Sequence, residues 1–114
     1  MITKLQLPTQ LLPIFNLYDD NFDLSKEEFE KNAKEAIIDD DKVILADKNG
    51  NNIYGFVMAK KSIIRGRKCC EIVAAYTKNN NRGTWGSLVK SIIDWANKKS
   101  LNEVYILRNL RRRV

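Results

Sequence analysis

Histidine is absent from this sequence of 114 residues, and cysteine and proline occur only twice each. Without histidine the chain cannot build Ser-His-Asp or Cys-His catalysis, an HExxH zinc site or an imidazole general base. The two cysteines, Cys69 and Cys70, are adjacent, so they make a poor structural disulfide and are too few for a structural zinc site. We therefore expect no metal and a reducing compartment, and proton transfer is left to carboxylate, lysine, tyrosine, cysteine or water.

Long hydrophobic runs are also missing. The longest apolar runs, such as residues 72–76, are about five residues long, whereas a helix needs about 20 to cross a bilayer. The first four residues are followed by polar, proline-containing sequence rather than by the apolar segment of a secretory signal. These absences predict a cytoplasmic protein with no membrane partner.

The residues that are present have a globular balance, with 44% apolar and 30% charged side chains. The length predicts a single domain over 1–114, with a basic tail at 108–114. Residues 1–57 carry 6 basic and 11 acidic side chains, whereas residues 58–114 carry 14 and 3. Such asymmetry is typical of a basic half that binds an anionic ligand or nucleic acid, and equally of a solvated acidic helix with basic turns and a basic tail.

Hydrophobic periodicity predicts an α/β (α+β) order of elements. Ser25 to Glu28 matches a capping box, and the apolar spacing behind it predicts a helix. Short β-favouring runs are separated by Asn49-Gly50 and by a turn near Arg65 to Arg67. The predicted helices are a short one in 11–18 beginning near Pro13, one over 26–38 and one over 85–99; the predicted strands are 42–47, 53–59, 70–76 and 104–107. The sheet is therefore an antiparallel meander followed by a parallel strand–helix–strand crossover.

The segment before the helix at 85–99 is polar and contains two glycines: Asn81-Arg82-Gly83-Thr84-Trp85-Gly86-Ser87. A helix that begins here offers unsatisfied N–H groups and the positive end of its dipole to a pyrophosphate. Lys78, Arg82 and Lys90 add positive charge nearby. The alternative interpretation is that the glycines only permit a tight turn from strand to helix.

The element order over about 25–107, together with this segment, resembles the central part of the GNAT family of acyl-CoA-dependent N-acetyltransferases. Asn81 to Gly86 lies where that family has its cofactor loop, Q/R-x-x-G-x-G/A, and Trp95-Ala96 lies where many members carry an aromatic-alanine pair. The match is degenerate, because Asn81 replaces Gln or Arg and Thr84 replaces a glycine. The sequence stops just after the last predicted strand, so the resemblance implies a GNAT-like mixed sheet lacking the usual C-terminal helix and strands.

The resemblance also implies roles for individual residues. Acetyl-CoA would bind to the backbone of Val73, Ala74 and Ala75 and to the segment Asn81, Arg82, Gly83, Thr84, Trp85, Gly86 and Ser87. Glu71 lies where some members place the general base. By residue type alone, Tyr76 and Tyr105 are alternative proton donors. Against these roles, Glu71 is also interpretable as a surface carboxylate paired with Arg67 or Lys68, and both tyrosines as packing residues.

Three functions remain open at this point. The first is an acetyl-CoA-dependent N-acetyltransferase that transfers the acetyl group directly to a small-molecule or protein amine. The second is a non-catalytic GNAT-fold binding or structural module, in a larger or viral assembly. The third is a basic protein that binds nucleic acid through its tail.

The early stop predicts an exposed C-terminal edge of the sheet. There Val104, Ile106 and Leu107, with Trp85 and Trp95, would leave apolar surface for a second copy or another protein. The competing interpretation is that the N-terminal segment 11–18 folds over this surface.

Overall fold

The computed structural model describes residues 1–22 and 24–106. Leu107 and the predicted basic tail at 108–114 lie outside the described residues. The described chain contains β1 (Ile2–Lys4), α1 (Leu12–Phe15), α2 (Lys26–Ile38), β2 (Lys42–Asn49), β3 (Asn52–Ile64), β4 (Arg67–Thr77), α3 (Arg82–Lys98) and β5 (Val104–Ile106), with single 3₁₀ turns at Pro8–Gln10 and Lys78–Asn80.

The strands form one sheet in the order β1-β2-β3-β4-β5. The pairs from β1 to β4 are antiparallel, and β4 pairs with β5 in parallel. Helix α3 makes the connection between these last two strands. The predicted mixed sheet, with a meander followed by a parallel crossover, is therefore confirmed.

Helix α2 begins where the capping box predicts. The Glu28 backbone N–H donates to Ser25 Oγ at 3.1 Å, and the Ser25 N–H donates to Glu28 Oε1 at 3.3 Å. One side of the helix is buried, and it carries Phe29, Ala33 and Ala36. These side chains pack on one face of the sheet, which we call the α2 face, against a set that includes Ile44, Ala46, Phe56 and Met58.

Helix α3 covers the other face of the sheet, which we call the α3 face. Its buried residues Leu88, Ile92, Trp95 and Ala96 pack against alternate strand residues that include Val43, Val57, Cys70 and Ile72. No helix in the described part of the chain is long and apolar enough to cross a membrane.

The expectation that Trp95 contributes to an exposed edge was wrong, and so was the competing interpretation. Trp95 is only 9% exposed because it packs in the α3-face cluster, whereas Trp85 is half-buried beside it. The N-terminal segment does not cover that surface, since Leu11 and Ile14 are buried on the α2 face instead. The predicted short helix is present as α1, and β1 was not predicted because three residues carry too little pattern.

Candidate functional site

Strand β4 contains a β-bulge at Val73. The register with β3 pairs Ala59 with Ile72 and Met58 with Ala74, so Val73 is the extra residue. A bulge leaves a residue out of the ladder and bends the strand, and such features are frequent beside active sites. The bulge lies within the segment 73–76 that the resemblance assigns to the thioester.

The outer edge of β4 opens at the same point. The parallel ladder to β5 pairs Cys70 with Val104 and ends at Ile72 with Ile106. In residues 1–22 and 24–106, no strand pairs with the outer edge of β4 from Val73 to Thr77. Within that part of the chain the backbone N–H and C=O groups on this edge have no strand partner, and an extended ligand binds to a sheet edge of this kind.

The side chains of residues 73–75 pack in the hydrophobic core or against it. Val73 is 6% and Ala74 1% exposed, and both pack in the α2-face cluster, whereas Ala75 packs against the α3-face cluster. The side chains of Val73 and Ala74 are therefore buried in the core, whereas Ala75 is half-buried.

Helix α3 begins at Arg82, three residues before the predicted start at 85. Asn81 is its N-cap: Asn81 Oδ1 accepts the Thr84 N–H at 3.0 Å, and the Asn81 carbonyl accepts the Trp85 N–H at 3.1 Å. The predicted loop Arg82 to Ser87 is therefore the first turn and a half of the helix. The apolar periodicity missed this start because the first three helical residues are not apolar.

The N-terminus of α3 has free donors and no acidic neighbour in its first turn. The N–H groups of Arg82 and Gly83 have no acceptor among the described residues. Gly83, Gly86 and Ser87 are exposed, and a Cβ built on Gly86 would meet no atom within 4 Å. The turn is thus open to solvent and carries the uncompensated positive end of the helix dipole.

Thr84 turns its side chain inward. A Cβ built on Gly55 of β3 would lie 2.8 Å from Thr84 Cγ2 and 3.1 Å from Leu88 Cδ1. The Thr84 methyl group therefore packs toward the sheet rather than outward from the helix start. At this position, where the resemblance expects a glycine, the methyl group therefore does not lie on the exposed side of the turn.

Glu71 is half-buried on β4, two residues before the bulge. Its cross-strand neighbours are Lys60 on β3 and Tyr105 on β5. The alternative ion pair with Arg67 or Lys68 is not found in the described part of the chain, because Arg67 Nη1 lies 3.3 Å from Glu103 Oε1 instead. The Glu71 carboxylate has no ion-pair partner there.

The two tyrosines proposed as proton donors have different surroundings. The Tyr105 hydroxyl donates to Glu103 Oε2 at 2.6 Å, and this bond raises the pKa of Tyr105 and lowers the pKa of Glu103. Tyr76 stacks on Phe56 with 6.1 Å between ring centroids, on the α2 face. A packing role accounts for the position of Tyr76.

The adjacent cysteines are both free and buried. Burial raises the pKa of the Cys70 thiol to about 11 and also raises the pKa of Cys69. Since the thiolate is the nucleophile, this environment disfavours covalent catalysis by either residue. Among the described residues, no three Cys, Asp or Glu side chains come together in a way that could hold a metal ion.

Neither the role of Gly55 nor the bulge at Val73 was predicted from the sequence. A glycine inside an apolar strand run indicates a close approach of another element, so Gly55 was available as a signal. The bulge has no such signal. It shifts which residues of β4 face each side of the sheet, and the shift is not visible in the sequence because the residues on both sides of Val73 are apolar.

No family model matches the sequence, and no curated protein matches it. Solved structures do match. Aminoglycoside antibiotic 6'-N-acetyltransferase AAC(6')-IG from Acinetobacter haemolyticus is 13% identical with a TM-score of 0.78, and the match covers 99% of this chain and 84% of that one. AAC(6')-Iy, in complex with the bisubstrate analog CoA-S-monomethyl-acetylneamine, is 13% identical with a TM-score of 0.77 and the same two coverages. A GNAT family acetyltransferase from Staphylococcus aureus is 16% identical with a TM-score of 0.70, and the match covers 94% of this chain and 84% of that one.

The chain has the GNAT fold. The resemblance inferred from about 25–107 is confirmed at the level of fold, and the structural likeness also takes in the N-terminal segment. Within the GNAT fold of this chain, the bulge of β4 and the start of α3 are the features that form the candidate site.

Proposed function

We propose that this chain binds acetyl-CoA between the outer edge of β4 and the N-terminus of α3, and transfers the acetyl group to an amine. The observation that carries the proposal is the continuity of these two features. The open edge of β4 ends at Thr77, and the single turn Lys78–Asn80 leads directly to the N-cap Asn81. AAC(6')-Iy, which shares the fold, was solved with CoA bound.

The residues at the helix start fit a diphosphate. The free N–H groups of Arg82 and Gly83 can donate to phosphate oxygens, and the open side of Gly86 allows close approach. Lys78 and Arg82 are exposed and supply positive charge to the same end of the helix. The backbone groups on the outer edge of β4 from Val73 to Thr77, which no described strand pairs, would then hold the pantetheine arm by strand-like hydrogen bonds.

Acetyl-CoA supplies an activated carbonyl, and the protein's task is to position an amine and remove one proton. The amine lone pair forms the new C–N bond, the C–S bond breaks, and the thiolate leaves with its electron pair. Glu71 is the proposed base, because it is half-buried, unpaired in the described chain and two residues from the bulge. It would accept the proton that the attacking nitrogen loses.

Calorimetric titration with acetyl-CoA and CoA tests the binding step. Gly86→Glu should weaken binding at least about tenfold, since a carboxylate at the helix start repels the phosphates. Gly86→Gln is the matched control of the same size without the charge, and both variants should fold because the site is open. Equal affinities for wild type and Gly86→Glu, or no binding by the wild type, would contradict the proposal.

The catalytic step is tested on the same protein with a panel of primary amines. Glu71→Gln should lower kcat about 100-fold or more while CoA affinity stays unchanged, because a general base typically contributes that much. Unchanged kcat in Glu71→Gln would remove Glu71 from the reaction.

A non-catalytic GNAT-fold module is the second candidate. It is favoured by the internal cap, in which Asn81 Oδ1 already takes the Thr84 N–H and leaves fewer donors for a ligand. CoA binding without transfer to any amine in the panel would support this candidate over the enzyme.

A further inference from the structure

Strands β3 and β4 extend past both of their neighbours. The ladder of β2 reaches only Lys60, and the ladder of β5 begins at Cys70. Residues 61–69 therefore form a two-stranded ribbon that projects from one end of the described sheet. We call this segment the basic ribbon.

The basic ribbon contains Lys61, Arg65, Arg67 and Lys68 and no acidic residue. Arg67 pairs with Glu103, whereas the other three cations have no ion-pair partner among the described residues. Ile63 lies directly opposite Lys68 in the ladder, and its side chain is 70% exposed. The ribbon thus presents an apolar side chain surrounded by free positive charge.

A second patch with the opposite charge lies beside the base of the ribbon. It consists of Ile38, Asp39, Asp40 and Asp41, at the end of α2, and we call it the acidic turn. Ile38 is 85% exposed, and the three aspartates are exposed as well. The Lys61 N–H donates to the Asp41 carbonyl at 2.7 Å, so the two patches are immediate neighbours.

We propose that the basic ribbon docks on the acidic turn of a second copy of this chain, in a two-fold dimer. A two-fold interface requires a surface that is complementary to itself, so that each patch meets its counterpart on the partner. Adjacent patches of opposite charge, each centred on an exposed isoleucine, satisfy that requirement. In such a dimer the basic ribbon of each copy would contact the acidic turn of the other copy.

The same features argue against a nucleic acid as the occupant. Phosphate groups that approach the ribbon would meet the three aspartates at its base, and like charges repel. The exposed Ile63 and Ile38 gain nothing from a phosphate backbone, whereas a protein surface removes both from water. This inference does not depend on the proposed enzymatic activity.

Sedimentation equilibrium on the full chain tests the dimer. We expect the wild type to dimerise between about 10 µM and 1 mM, with weaker association as salt rises. Lys68→Asp and Asp40→Lys should each weaken association about 100-fold, because each change creates two like-charge contacts per dimer. An equimolar mixture of the two variants should dimerise again, since each variant's altered patch then meets a complementary one.

Matched controls separate the interface from general effects. Lys90→Asp changes an exposed charge on α3, and Leu12→Ser removes an exposed leucine on α1. Both should dimerise like the wild type, whereas Ile63→Ser should not. Circular dichroism of every variant establishes that it is folded.

The proposal is overturned if the wild type is monomeric at about 1 mM. It is also overturned if Lys68→Asp or Asp40→Lys alone dimerises like the wild type, or if the equimolar mixture of the two variants stays monomeric. Binding of a DNA duplex by monomeric wild type, lost in Lys68→Asp and strengthened in Asp40→Lys, would assign the ribbon to nucleic acid instead.

Discussion

At the scale of single residues, Gly55 determines how closely α3 approaches the sheet. A Cβ at this position would lie 2.8 Å from Thr84 Cγ2 and 2.8 Å from the Tyr76 carbonyl oxygen. Both distances are shorter than van der Waals contact. The glycine therefore allows the first turn of α3 to lie against β3, and this places the helix N-terminus at the end of β4 where the candidate cofactor site is.

Gly55→Ala should lower the free energy of unfolding by about 1–3 kcal/mol, the usual cost of overpacking a buried site. Thr84→Ser in the same chain should restore only part of the loss, because the contact with the Tyr76 carbonyl remains. Urea denaturation measures both. Gly86→Ala is the control: it meets no atom within 4 Å and should stabilise α3 by up to about 1 kcal/mol. A neutral Gly55→Ala would show that α3 can move away from the sheet at little cost.

Among the elements, helices and strands differ in how well the sequence predicts them. Helix α2 begins and ends as expected, because a capping box and a clean apolar stripe define it. Strands β3 and β4 extend several residues beyond their predicted bounds. The basic ribbon was not predicted as strand because polar and charged residues flank Ile63 and Ile64 and interrupt the apolar pattern. The candidate site depends on the bulge at Val73 and on the inward side chain of Thr84, and neither has a signature in a single sequence.

The attachment of β5 to β4 leads to a pH prediction. A hydrogen bond from Tyr105 and, to a smaller extent, one from Arg67 lower the pKa of Glu103 below its ordinary value of 4.5. A lowered carboxyl pKa stabilises the fold above that ordinary value, and the stabilisation is lost as the pH falls through the folded-state pKa. Glu103→Gln should therefore be less stable than wild type at neutral pH, and the difference should shrink below about pH 4.5.

Urea denaturation between neutral and acid pH measures this effect. Asp94→Asn serves as the control, because Asp94 is exposed on α3 and has no ion pair in the described part of the chain. The same loss of stability in Glu103→Gln at every pH would mean that the hydrogen-bond geometry, and not the charge of Glu103, holds β5.

For the whole molecule, a single sheet separates two apolar clusters. Neighbouring residues of β2 alternate between them: Val43 and Leu45 belong to the α3-face cluster, and Ile44 and Ala46 to the α2-face cluster. The same backbone therefore supports both clusters. If the packing on one face is lost and the strand moves, the packing on the other face is lost as well. We expect one cooperative unfolding transition for the described fold.

Both tryptophans of the chain lie on the α3 face, so fluorescence reports on that face while circular dichroism reports on all the secondary structure. Phe29→Ala removes a fully buried ring from the α2 face and should cost about 3–5 kcal/mol. Because the sheet couples the faces, its urea midpoint should fall equally by both probes. Ile92→Ala on the α3 face should give the same coincidence, and Leu12→Ala, at an exposed position, should leave the midpoint unchanged. A Phe29→Ala variant whose fluorescence midpoint stays at the wild-type value would mean that the two faces unfold separately.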